Sequence, residues 1–225
     1  MGQLPVSGAR QIAFGMAEKS LSERAQRRRM RTAGPIMDAA ERLFAVKGLT
    51  RTTVDEIATA ADVSVGTVYF HFESKDGLYL ALVERALDVN EEYMARIDRD
   101  LGPFDRVLQS GDCYLRFFLD HPDKFRIVVL RVLEPASGGT LEDAEQRIAA
   151  RVRRIVGNVE ADLAEARDAG LIRDVDVPTT MQFLWGAWNG VIALALRQDD
   201  LALSFTQLEH CLELGRDLVR GALKA

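Results

Sequence analysis

Along most of the chain, apolar residues recur at intervals of three and four with polar residues between them, which is the period of an α-helix. Over 36–47, Ile36, Ala40, Leu43, Phe44 and Lys47 share one side, and Gly48 is a natural stop. Thr53-Val-Asp-Glu56 is a capping box: the Thr hydroxyl accepts from the third backbone N–H and the Glu reaches back. Ile57, Ala58 and Ala61 follow as a short apolar face, and Asp62-Val63 predicts a turn. Ser64 predicts the cap of a short third helix, because Ser74 already opens the next one. From Ser74 one pattern runs through Leu78, Leu82, Ala86, Val89, Tyr93 and Ile97, predicting a helix over 74–100 that ends at Gly102-Pro103. Further helices are predicted at 104–119, 122–133, 140–169, 178–197 and 204–223, separated by His121-Pro122, the stretch from Pro135 to Gly139, Gly170, Pro178 and Asp199-Asp200. No stretch sustains strand alternation, and no repeat of fixed period or low-complexity tract is present. The pattern predicts an all-α chain: a three-helix unit, a connecting helix and a larger helical domain.

The short helix after Thr53, the tight turn and the short helix after Ser64 form a helix-turn-helix. A second helix of that kind fits the major groove of DNA, about 12 Å wide. Its composition suits the task. Val65, Gly66 and Thr67 are small, so the N-terminus can come close to the duplex and offer its N–H groups to a phosphate. Val68 and Phe72, four apart, can pack inward. Tyr69, Phe70 and His71 then point toward DNA or wedge against neighbouring helices, and Lys75 at the next helix start can touch the DNA backbone. Thr53 either bonds a phosphate or only caps its helix, and His71 either donates to a phosphate or packs.

The run from Ile36 to Leu82 resembles the DNA-binding domain of the TetR family of bacterial transcriptional regulators. The matching residues are Ala39-Ala40 and Leu43-Phe44 with Gly48, then Thr53-Val-Asp-Glu-Ile-Ala58, then Val63-Ser-Val-Gly-Thr-Val-Tyr69, then His71-Phe72 and Ser74-Lys75. Val65 stands where the family often carries a polar residue and offers only apolar contact, for instance to a thymine methyl. The resemblance implies a helix-turn-helix domain over 32–79 and a ligand-binding and dimerisation domain over 80–225, which here follow a basic N-terminal extension over 1–31. It implies a homodimer on a palindromic double-stranded DNA operator, released by a small-molecule effector, with no cofactor. It also turns Thr67 and Tyr69 into DNA contacts; without it Tyr69 reads as core. An activator, or an architectural DNA-binding protein without effector, is the alternative to a repressor.

Charge adds an asymmetry. The net charge of −5 divides into 11 Lys/Arg against 9 Asp/Glu over residues 1–79 and 18 against 25 over the remainder. The extension, longer than the family's minimum, carries Arg27, Arg28, Arg29 and Arg31, an arm that can enter an adjacent minor groove or remain a solvated tail. Cys113 and Cys211 stand far apart and suit buried free thiols in a reducing cytosol. No apolar run approaches the length of a membrane span, and Arg10, Glu18 and Lys19 interrupt any signal-peptide core. A cytoplasmic protein is expected.

In the larger domain, Tyr93, Phe117, Phe118, Phe125, Trp185 and Trp188 are candidate pocket walls, with Asn189 and Arg116 as polar handles. Met94 and Tyr114 belong with them, and each taken singly could equally fill the core. Such a lining favours an apolar or aromatic small molecule. Gly186 and Gly190, four apart, permit close helix approach, and Leu208, Leu212, Gly215 and Val219 form a stripe; these six are the expected dimer seam, in a four-helix bundle with the mate. An enzyme finds little support: there is no Gly-rich phosphate loop, no metal-spaced His/Cys/Asp set and no nucleophile motif, and His71, His121 and His210 are scattered.

Overall fold

A computed structural model of the chain describes residues 33–133, 141–197 and 199–225, without the side chains of 130–133. Among these residues there are nine helices: α1 (33–47), α2 (Val54–Ala60), α3 (Val65–Phe72), α4 (Lys75–Met94), α5 (Pro103–Asp120), α6 (Pro122–Leu133), α7 (Glu142–Asp168), α8 (Val177–Ala195) and α9 (Phe205–Leu223). An isolated bridge between Ile172 and Lys224 is the nearest thing to a strand among the described residues. The chain divides into two compact units, Met1–Leu78 and Tyr79–Ala225. Arg27, Arg28, Arg29 and Arg31 lie outside the described residues.

The first unit closes on Ile36, Ala39, Ala40, Phe44, Ile57, Ala58, Val68 and Leu78, all buried. The capping box forms as its sequence dictates: Glu56 N–H donates to Thr53 Oγ1 at 3.3 Å, and Thr53 N–H donates to Glu56 Oε2 at 3.1 Å. Lys47 donates to Glu56 at 2.5 Å and holds that carboxyl below the usual carboxylate range. The α1–α2 loop is knitted by polar side chains. Buried Thr52 donates to Gly48 O at 2.8 Å, and Arg51 donates to Lys47 O at 2.8 Å. The turn between α2 and α3 is a Schellman closure in which Val63 N–H reaches Ala58 O and Asp62 N–H reaches Thr59 O. Asp62 holds the left-handed position at φ 53°, where Asp is tolerated better than most side chains.

The joint from α3 to α4 is tighter. Glu73 sits at φ 63° and ψ −39°, and Ser74 N–H donates to Phe72 O at 2.6 Å, a three-residue turn of the rare positive-φ kind. Ser74 then caps α4, its Oγ accepting from Gly77 N–H at 2.9 Å. The turn swings the Phe72 carbonyl over the first turn of α4. A Cβ at position 77 would lie 2.1 Å from that oxygen, so only glycine fits.

The second unit packs α5, α7, α8 and α9 with α6 and most of α4 around two apolar clusters. One holds Tyr93, Phe117, Phe118, Phe125, Val129, Ile192, Leu208 and Leu212. The other holds Val107, Val159, Leu163, Ala166, Ile172, Val177, Met181 and Leu184. Trp188 packs against both. Ion pairs tie the helices outside the clusters: Arg106 to Asp162 at 2.8 Å and Glu165 at 2.5 Å, and Arg151 to Asp88 at 2.7 Å and Glu91 at 2.9 Å. The C-terminus is pinned where Arg173 N–H donates to Leu223 O at 2.8 Å.

Two expectations need correction. The helix expected to run to residue 100 ends at Met94. Beyond it Arg96 and Ile97 N–H groups turn back to Tyr93 O and Met94 O, and Asp98 N–H is taken by Gln109 Oε1 at 2.7 Å. Ile97 remains buried, so a turn carries the last step of the apolar pattern. The cysteines are free, but Cys113 is half-buried and Cys211 is exposed, because Cys211 lies on the outward face of α9.

Gly77 gives the test of this architecture. In an unconstrained helix interior, Gly→Ala gains about 0.8–1.0 kcal/mol. Here the clash with a backbone oxygen reverses the sign, so Gly77→Ala should lower the melting temperature. A stabilised Gly77→Ala variant would refute the α3–α4 geometry.

Candidate nucleic-acid interface and effector cavity

The face that α3 leaves open is set by what it buries. Val68 goes fully into the unit's core and Phe72 is half-buried, so the face through Gly66, Tyr69, Phe70 and Glu73 is exposed. Tyr69 is 47% and Phe70 69% exposed, unusual for rings in a helix of eight residues whose other large residues turn inward. Ser64 caps the helix, its Oγ accepting from Thr67 N–H at 3.2 Å and meeting Thr67 Oγ1 at 2.8 Å. Thr67 is thereby held in place, and the first-turn N–H groups of Val65 and Gly66 have no intrahelical acceptor. Thr53 is exposed at the start of α2 and serves as its cap. His71 is half-buried between the rings of Phe70 and Phe72. Lys75 has a role that its sequence position does not announce. Its ammonium donates to Leu49 O at 3.0 Å and Thr52 O at 3.1 Å, tying the start of α4 to the α1–α2 loop.

The second unit contains a cavity of about 100 Å³. Its wall takes Leu87, Asn90 and Met94 from α4; Val107, Leu108, Ser110, Gly111 and Tyr114 from α5; Val128 from α6; and Val152, Ile155, Val156 and Val159 from α7. Met181, Leu184, Trp185 and Trp188 of α8 and Val219 of α9 complete it. The lining is overwhelmingly apolar. Tyr114 donates to Asn189 Oδ1 at 2.9 Å, while Asn189 Nδ2 donates to Trp185 O at 2.7 Å. Burial pushes the Tyr114 phenol up, so it stays protonated and donates.

Of the expected pocket residues, the structure brings Trp185 and Trp188 to this cavity, together with Met94 and Tyr114. Asn189 stands behind the wall, reached through Tyr114. Tyr93, Phe117, Phe118 and Phe125 do not line it; they fill the neighbouring cluster, where edge and tilted ring contacts consume their faces. Tyr93 donates to Asp120 at 2.6 Å, and this bond raises its phenol. Arg116 is exposed and outside the cavity wall. Sequence reasoning missed Asn90, Ser110 and Gly111. Gly111 is needed because the Trp188 indole lies directly on it: a Cβ there would be 2.8 Å from Nε1.

The expected dimer stripe on α9 also needs correction. Leu208 and Leu212 are buried in the protomer's own core, Gly215 sits under Trp188 and Val219 lines the cavity. That face of α9 is turned inward by the large residues it must cover. The outward face carries Leu214 and Leu218, 60% and 63% exposed, and α8 presents Phe183, 71% exposed, with exposed Leu194 about three turns further along the same face. Gly186 and Gly190 lie on this outward face of α8 with nothing within 4 Å of a Cβ built on either.

A helix-turn-helix with an exposed aromatic face, joined in one chain to a separate helical unit holding an apolar cavity, is the make-up of a DNA-binding transcriptional regulator. The family model for bacterial regulatory proteins of the tetR family matches residues 36–82. The chain belongs to the TetR family. It is 31% identical over 137 residues to an uncharacterized HTH-type transcriptional regulator of Mycobacterium tuberculosis, MT1294, covering 60% of this chain and 67% of that protein. It is 34% identical over 91 residues to the uncharacterized HTH-type regulator YerO of Bacillus subtilis, a match spanning 39% of this chain but only 32% of that relative's length. Some matched relatives are named transcriptional repressors. Among solved structures, the TetR family transcriptional regulator PfmR of Thermus thermophilus has the same fold, with a TM-score of 0.64 and 21% identity over 84% of this chain and 99% of that one.

The wall between α4 and α7 yields a pH prediction. Arg147, Arg151 and Arg154 of α7 pair with Glu84, Asp88 and Glu91 of α4. The hydrogen bond from Arg151 holds the Glu91 carboxyl below its ordinary value. A depressed carboxylate stabilises the fold fully above its unfolded value, about 4.3, and the benefit is lost as pH falls through the lower folded value. Melting temperature should therefore fall with acid below about pH 4.3, and Arg151→Met should make that fall shallower. An acid limb of unchanged slope in Arg151→Met would remove Glu91 from the account.

Proposed function

We propose that the protein is a one-component repressor that binds a palindromic operator as a cytoplasmic homodimer and leaves it when an apolar or aromatic small molecule enters the cavity of the second unit. The observation that carries the reading is the exposed Tyr69–Phe70 face of α3 beside the open first-turn N–H groups of Val65 and Gly66. Exposed rings on a groove-sized helix suit thymine methyls and sugar edges, and the N–H groups suit a phosphate. Thr67, held by Ser64, is aimed by the same cap. Lys75 uses two of its ammonium donors inside the unit and retains a third for a phosphate. The arm around Arg27, Arg28, Arg29 and Arg31 adds charge for the minor groove.

The outward faces of α8 and α9 support the dimer. Phe183, Gly186, Gly190 and Leu194 on one helix and Leu214 and Leu218 on the other make adjoining apolar stripes, and the two glycines admit a partner helix closely. Two copies would then offer two α3 helices to half-sites about 34–36 Å apart, one turn of DNA. The cavity gives the acidic second unit a task that an architectural protein would not need. Coupling requires the ligand to prefer one arrangement of the pair of heads over another.

Genomic fragments selected by the protein, then footprinted, should reveal a two-fold-related protected site near a promoter. Phe70→Ala should cost at least about tenfold in operator affinity, from losing roughly 1.5–3 kcal/mol of ring burial against DNA, at unchanged melting temperature. Leu218→Arg should give a folded monomer that no longer binds the operator, whereas Leu212→Arg should unfold the protomer. A wild-type monomer, or no symmetric footprint, would overturn the reading.

A further inference from the structure

One polar group in the cavity wall differs from the rest. Asn90, on the side of α4 that lines the cavity, is only 4% exposed, and its side-chain oxygen has no hydrogen-bond partner. The other side-chain oxygens of the wall are engaged. Ser110 Oγ donates to Val107 O at 2.6 Å, and the Tyr114 hydroxyl donates to Asn189 Oδ1 at 2.9 Å. A buried amide oxygen without a donor is unfavourable and rare in native proteins, and a bound molecule is one way of satisfying it. The oxygen of an amide accepts and never donates, so the molecule must bring the hydrogen. Among the described residues no charged side chain lines the cavity. An ion entering it would be stripped of water without a counter-charge. The rest of the wall, with Leu87, Met94, Val156 and Trp185 around Asn90's helix and opposite it, asks for an apolar body.

We propose that the cavity takes an uncharged, largely apolar molecule carrying a hydrogen-bond donor, a hydroxyl or an N–H, which it gives to Asn90 Oδ1. The inference rests on the reading of this cavity as the effector site, and it narrows the ligand's chemistry. A carboxylate is excluded because it brings a charge into a wall that holds no counter-charge. The bond would fall on α4, the helix that continues from the α3 turn at Lys75 to Met94, so the donor would engage the element through which the two units are covalently joined.

The test uses the full-length protein and four single-ring probes: phenol, toluene, anisole and benzoate. The cavity, about 100 Å³, is of the same order as an apolar cavity of about 150 Å³ that takes up benzene. Phenol and toluene have nearly the same shape and differ in the donor. Calorimetry should give phenol an advantage over toluene of about tenfold, the order of one net hydrogen bond. Anisole, which accepts but cannot donate, should bind no better than toluene, and benzoate should not bind. Asn90→Leu, similar in volume, should keep toluene and abolish the advantage of phenol. Toluene or anisole binding as tightly as phenol would overturn the proposal while leaving the cavity as a ligand site. A phenol advantage that survived in Asn90→Leu would overturn it too. Failure of every ring probe to bind would bring down both the proposal and the effector-site reading. The wild-type comparison stands by itself if Asn90→Leu does not fold.

Discussion

The indole of Trp188 lying on the bare backbone of Gly111 is the contact on which the second unit turns. The side chain packs against both apolar clusters, so α5 and α8 must approach closely enough for one ring to serve two cores. Glycine at 111 permits that approach, and on α9 a Cβ at Gly215 would meet the same ring only at ordinary contact distance, 3.8 Å. With the large ring fixed at the seam, the phenylalanines of α5 and α6 close one cluster, and the mid-sized residues of α7 and the early part of α8 close the other. Beside Tyr114, Trp185 and Trp188, the cavity wall is mostly Val, Leu, Ile and Met side chains, which do not reach far enough to fill it. Phe117, Phe118 and Phe125 are packed on one another and contribute nothing to the wall.

The first unit obeys a different constraint. It is small, and its loops are held by polar groups whose partners are backbone carbonyls: Thr52 on Gly48, Arg51 on Lys47, Lys75 on Leu49 and Thr52. Such bonds fix the entry and exit of the helix-turn-helix without using apolar surface, which leaves the rings of α3 outside. The α3–α4 joint pushes this economy to a strained turn at Glu73 that only a glycine four residues later can accommodate.

Much of this was legible beforehand because it is local. Helical period, the Thr53 capping box and the Ser64 and Ser74 caps are written into a few neighbouring residues, and the elements they predict are present. The end of α4 was not legible, because Ile97 continues the apolar pattern while the backbone leaves the helix to meet Gln109, a residue from another element. The inward side of α9 was not legible either. The helix carries two apolar stripes, Leu208–Leu212–Val219 and Leu214–Leu218, and nothing in its own sequence says which faces the protomer core. The aromatic candidates for the cavity failed for a related reason: Phe117, Phe118 and Phe125 are apolar enough for a ligand wall, but rings that large pack best on one another. Asn90 gave no signal at all, since an asparagine in the middle of a long helix looks like any solvent-facing residue until burial is known.

The chain holds two tryptophans, and both stand in the wall of the same cavity. Its tryptophan emission therefore has a single origin. Colour and lifetime of that light are set by the polarity and packing around one cavity, undiluted by any fluorophore of the same kind at the DNA-facing helix or on the outer surface. The molecule thus carries an optical gauge in the room where a ligand would sit, and it reads that room without a label.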